Sequence, residues 1–221
     1  MKKLLLLCLL LCGNHHLKAQ ENVQRPWGYH QHDGFYLSFN WGPVFGNVMG
    51  KEKSYNGSIP YSANFLGTGG MGDFKIGWAI KDNMILHATL ISNIVAAPEI
   101  ITTVGNNSTS KSMPDKFEVD ESMFGVGMTY YIMPYNIFLS GSIGRGKFKI
   151  SGSENKDDDG DTNSGFSMQL KIGKEWWILK NWGAGLGLTY GKTNLTHQPP
   201  IGFAEKLDSN RFGILLNTTF N

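Results

Sequence analysis

After residue 12 the chain has no cysteine; Cys8 and Cys12 both fall in one short apolar stretch near the N-terminus. That excludes a disulfide framework and thiolate metal centres from the remainder. No apolar run after residue 19 reaches the length of a membrane-crossing helix. A surplus of one charge is missing too. The 20 Lys and Arg stand against 18 Asp and Glu, and without Lys2, Lys3 and Lys18 the net charge is −1. Such a balance gives no electrostatic footprint for nucleic acid. Histidine is scarce: after residue 19 only His30, His32, His87 and His197 remain.

The N-terminus carries a processing signal. Lys2 and Lys3 precede the apolar run Leu4 to Leu11, and Leu17-Lys18-Ala19 offers a cleavage site before Gln20. Residues 1–19 therefore read as a secretory signal peptide. Leu11 occupies the position where lipoprotein signals need a small residue, so lipid attachment at Cys12 is disfavoured.

What the chain has in abundance is alternation. Phe212, Ile214, Leu216 and Phe220 share one parity, and Arg211, Gly213, Asn217 and Thr219 share the other. Similar segments are expected at 34–45, 70–81, 84–94, 122–132, 137–150, 165–177 and 182–191. Each has the length and period of a strand crossing a bilayer within a closed barrel. Asp82-Asn83, Met133 to Asn136 and Lys180-Asn181 read as short turns. Residues 46–68, 95–121, 151–164 and 196–209 read as long polar connections. The apolar first half of 95–121 suggests that strands three and four continue outward as a ribbon. Long and short connections alternate as in an even-stranded barrel with short turns on the periplasmic side. The mean hydropathy of −0.22 does not oppose this, because a barrel strand is apolar on one face only.

The contents of the two parities place the apolar one against lipid. It holds Phe, Trp, Leu, Ile and Met with almost no charge. The other holds Gly, Ser and Thr with Asp73, Lys75, His87, Lys171, Glu175 and Arg211. Charges of both signs can pair in a narrow lumen, which Tyr36, Tyr131 and Phe138 would fill. Gly183, Gly185, Gly187 and Gly191 would leave one wall of that lumen bare, the basis for a narrow solute path. Trp78, Tyr130, Trp176, Trp177, Trp182 and Phe220 gather beside the short turns, as an interfacial aromatic girdle does.

The pattern resembles the small bacterial outer-membrane β-barrel proteins of the OmpA/OmpX type. It does so over residues 34–221, through the signal peptide, the loop rhythm and an alternating last strand ending on Phe220. Asn221 after that Phe and Thr218 on the apolar parity are departures. The resemblance implies an all-β, eight-stranded antiparallel up-and-down transmembrane β-barrel in the bacterial outer membrane. Residues 20–33 would be a periplasmic lead-in. Implied partners are outer-membrane lipids (lipopolysaccharide and phospholipid) and the barrel-assembly machinery, through the last strand. Monomeric behaviour is expected.

Candidate chemistry is sparse, and no catalytic, cofactor or metal residues are assigned. Asn155 to Asp161 begins like a calcium loop, but Phe166 occupies the twelfth position where a bidentate acid is required. A solvated acidic loop is the better reading. His30 and His32 lack an evident third ligand and read as part of a polar lead-in at the rim. His87 reads as a lumen packing residue. His197 lies near the outer rim without a Ser–His–acid spacing. The expected role is non-enzymatic, structural or surface-interacting, with residues 95–121 as the candidate extracellular partner site. A narrow porin-like channel is the alternative, and a lipid-modifying enzyme a weaker one.

Overall fold

The computed structural model describes residues 32–52, 61–96, 98–114, 117–151, 160–198 and 204–221. The proposed signal peptide, residues 20–31 of the lead-in with His30, most of the acidic loop and Pro199-Pro200 lie outside them. The strands are β1 (Phe35–Glu52), β2 (Tyr61–Lys81), β3 (Met84–Ala96), β4 (Glu99–Val104), β5 (Asn107–Ser112), β6 (Glu118–Ile132), β7 (Ile137–Ser151), β8 (Gly160–Asp161), β9 (Gly165–Leu179), β10 (Trp182–His197) and β11 (Glu205–Phe220). Eight of them close an antiparallel ring, β1-β2-β3-β6-β7-β9-β10-β11. The seam runs between β1 and β11, with Leu37 opposite Phe220 and Glu52 opposite Glu205. Closure satisfies the backbone of every ring strand from both sides, a requirement in hydrocarbon.

The two parities separate as their chemistry demands. Trp41, Phe45, Leu86, Phe124, Leu188 and Phe212 each expose about half of their surface or more, on the outside. Asp73, Lys75, Lys171, Glu175 and Arg211 are buried inside. A continuous apolar belt of this size is not a water-facing surface. It is the lipid-contacting band of a transmembrane barrel. Trp78, Tyr130, Trp176 and Trp182 line its short-turn rim from outside. Trp177 does not belong to that girdle. It follows Trp176 by one residue, so the pleat turns it inward, where it stacks on His32 at 4.8 Å. Thr218 on the lipid side donates its hydroxyl to the Phe39 carbonyl at 2.9 Å, which makes a polar group tolerable there.

The long connections are shorter than expected because the strands continue past the belt. β1 runs on to Glu52 and β2 begins at Tyr61, which removes much of the loop expected at 46–68. β10 reaches His197 and β11 starts at Glu205. β6 starts at Glu118, so Glu121 is part of the lumen wall and not of a loop. There it forms a buried ion pair with Arg211, and Ser209 donates to the same carboxylate oxygen.

The expected ribbon exists, with a break. β4 continues the line of β3 along the outer end of β2, where Leu66 faces Glu99 and Tyr61 faces Val104. β5 folds back on β4 through a turn at Gly105-Asn106. β8 adds a two-residue bridge to β7.

Breaking the buried pair one partner at a time is expected to be costly. Arg211→Met should lower unfolding stability in detergent by about 3–5 kcal/mol, since Glu121 is left buried without its counter-ion and with only the Ser209 hydroxyl beside it. Glu121→Gln combined with Arg211→Met should recover most of that loss in chemical denaturation. Equal losses in both variants would mean that the pair is not coupled.

Candidate functional site: a layered lumen and an outer sheet edge

Nearest the short turns, Tyr36, Ile85, Tyr131 and Phe138 pack as one apolar cluster. Above them lies a polar layer centred on Asp73. Its carboxylate accepts from Lys75 Nζ at 2.9 Å and Lys171 Nζ at 3.4 Å. Lys171 also donates to Asn40 Oδ1 at 2.7 Å, and Lys75 to Gln169 Oε1 at 3.2 Å. Glu175 accepts from the Tyr131 hydroxyl at 2.8 Å and from Asn217 and Thr219 at 2.7 Å each. A second apolar layer follows: Val44, Met71, Ile91, Met123 and Leu215. Then come the Glu121–Arg211 pair and a third apolar cluster of Phe148, Leu195 and Leu207.

The glycine wall of β10 is the complement of this filling. A Cβ on Gly191 would meet the Arg211 guanidinium, and one on Gly183 would meet the Glu175 carboxylate. At these two positions the missing side chain makes room for a buried ion from a neighbouring strand, and at Gly187 for the Phe138 ring. These positions do not leave open space.

The histidines are distributed differently from expectation in one case. His87 lies in the lumen, bonded to Thr89 Oγ1 at 2.9 Å and Thr129 Oγ1 at 3.0 Å. His197 sits at the outer rim against Asn163 Oδ1 at 3.0 Å. His32, expected in a polar lead-in at the rim, instead enters the short-turn mouth and is fully buried. Its ring stacks on Tyr131 at 3.3 Å. Nε2 donates to Asn136 Oδ1 at 2.8 Å, and Nδ1 accepts from Asn221 Nδ2 at 2.7 Å, the pattern of a neutral imidazole.

Two of the short turns bond this residue directly, and the third reaches it through Asn221. Asn83 exchanges hydrogen bonds with the His32 backbone at 3.0 and 3.3 Å. Asn136 supplies the side-chain acceptor. Asn181 accepts from the Asn221 backbone N–H at 3.1 Å. Asn83 and Asn136 hold left-handed φ values of 63° and 52°, a conformation Asn tolerates. The only trace of this in sequence is an Asn in each turn and an Asn after Phe220.

Among the described residues no group of three or more His, Cys, Asp or Glu is placed to hold a metal. Asp161, the described acid of the candidate calcium loop, is paired with Lys147 Nζ at 2.6 Å. The hydrogen bond and charge of Lys147 hold its carboxyl below the ordinary aspartate range. The contribution of that contact is present above the unfolded aspartate pKa and is lost as pH falls through the lower folded value.

At the outer end, the base of the ribbon is fixed. Met113 N donates to the Pro98 carbonyl at 3.1 Å, and buried Phe117 stacks on Phe65 at 6.2 Å. Beyond this anchor every residue of β5 is exposed, and no described strand pairs with its outer edge.

His32→Ala is expected to lower stability in micelles by about 1–3 kcal/mol, because the buried Asn136 amide and the half-buried Asn221 amide lose their partner. Asn221→Ala should cost less. The double variant should fall short of the sum in a double-mutant cycle followed by circular dichroism. Strict additivity would mean that the two residues do not act as one catch.

No family model matches the chain, and no curated protein matches it in sequence. Among solved structures it is similar to Neisserial surface protein A, with 11% identity over 85% of this chain and 97% of that one, TM-score 0.48. It is similar to the outer membrane protease OmpT from Escherichia coli, with 9% identity over 86% and 97%, TM-score 0.45. It is also similar to the outer membrane protein AlkL, with 13% identity over 92% and 97%, TM-score 0.45. A surface protein and a protease stand side by side here, so the likeness assigns no activity.

Proposed function

We propose that this chain is an integral barrel of the bacterial outer membrane whose work is done outside it, by strand pairing with an extended segment of an extracellular partner at β5. The observation that carries this reading is the outer edge of Asn107–Ser112, which no described strand pairs. It projects from a ring held by buried ion pairs and anchored at Pro98 and Phe117. An exposed edge offers main-chain donors and acceptors to an incoming strand. The barrel serves as a rigid pedestal. The alternation of apolar and ionic layers through the lumen supports this role over solute passage.

The close approach of Pro98 and Met113 lets residues 99–112 be removed and the ends rejoined. That variant is expected to insert and refold like the parent, because no ring strand is cut and β2 loses β4 only along its outer end, Tyr61 to Leu66, beyond the apolar belt. Refolded parent should be retained on immobilised extracellular proteins, and the variant should not. Equal retention of the two, or steady single-channel conductance of the parent in planar bilayers, would count against the reading.

A further inference from the structure

Two outward-facing lysines near the outer rim are paired with acids among the described residues. Lys147 meets Asp161 at 2.6 Å, and Lys192 meets Asp208 at 3.7 Å. On the seam, however, Lys51 of β1 stands directly opposite Lys206 of β11, both exposed, with no ion pair to either among the described residues. Like charges facing each other across an antiparallel pair destabilise it. This pair caps a cleft of about 380 Å³, lined also by Asn47, Met49, Asp208 and Asn210. Asp208 makes no ion pair with either lysine; its carboxylate pairs diagonally with Lys192 at 3.7 Å and accepts from Asn210 Nδ2 at 3.3 Å.

The height of the cleft selects the ligand. On the same two strands, Phe45 opposite Phe212 marks the outer rim of the apolar belt. From Phe45 to Lys51 is about 20 Å along the strand. With the strand tilt usual in such barrels, the lysines stand about 14–16 Å above that rim. A phospholipid headgroup layer is only about 5–8 Å deep. An anion held between the two ammonium groups must therefore sit on a taller headgroup.

We propose that this cleft binds a phosphate ester carried on the saccharide headgroup of an outer-leaflet glycolipid, with Lys51 and Lys206 as its paired cations. The site rests on the transmembrane placement of the barrel. It is independent of the β5 edge. The anion relieves the repulsion across the seam, so lipid binding and seam stability are linked.

The test uses refolded full-length protein in vesicles of phospholipid alone, of phospholipid with a phosphorylated glycolipid, and of phospholipid with the same glycolipid dephosphorylated. Flotation with plain vesicles is read first, and its absence overturns the membrane placement and the proposal together. With flotation intact, the phosphorylated glycolipid should raise the melting temperature, and the dephosphorylated one should not. Lys51→Gln and Lys206→Gln should each weaken glycolipid association on the order of five-fold, while Lys111→Gln on β5 leaves it unchanged. Lys206→Glu puts a carboxylate opposite Lys51. It should stabilise the barrel in plain phospholipid while abolishing the glycolipid effect, a gain that misfolding cannot mimic. Unchanged association in both glutamine variants overturns the proposal. So does full competition by millimolar inorganic phosphate, which would make the ligand a free anion.

Discussion

The constraint on which everything else rests is that a peptide group in hydrocarbon has no water to bond. An open sheet would expose a row of such groups to lipid, so the sheet must meet itself. Once the ring is closed, each strand has one face toward lipid and one toward a space only a few side chains wide. The outside then has to be apolar, and the inside has to be filled and electrically balanced. Asp73 between two lysines, Glu175 under three donors and Glu121 against Arg211 are three solutions of that second requirement. Each is worth little as a net gain, because desolvation offsets attraction. Their effect is on uniqueness, since a slip of register would strand a charge without its partner.

The alternation of layers divides the labour along the axis. Apolar clusters near both ends and at mid-height exclude water, and the ionic layers between them fix how neighbouring strands stand. The glycines of β10 belong to the same design. Where Arg211 and Glu175 lean over the adjacent strand, that strand carries Gly191 and Gly183.

The fold was legible wherever lipid imposed a contrast between the two faces. Phe74, Ile76 and Trp78 against Asp73, Lys75 and Gly77 can be read only one way. The contrast vanishes once a strand clears the belt. Gly46 to Glu52 carry Asn47 and Lys51 on the outer face and two glycines with Val48 on the inner one, so they look like a loop although they are paired throughout. The same loss of contrast hid Glu121 in an assigned connection. Trp177 was misjudged because two adjacent tryptophans suggest one environment, while a pleat gives them opposite ones. His32 was beyond local reading altogether. Its burial depends on Asn83, Asn136 and Asn221, residues brought together only by the closed ring.

The seam has an implication for how the molecule comes into being. Leu37 and Phe220 lie at opposite ends of the folded region, so their pairing demands the largest loop closure of any in the ring. Hairpins such as β6–β7 can zip from a four-residue turn, whereas β1 must wait for β11. Until then both strands carry bare edges that neither lipid nor water can safely accompany for long. The hydrogen bond from the Asn221 side-chain amide to the His32 ring, which joins the two ends of the chain, can form only after that last closure.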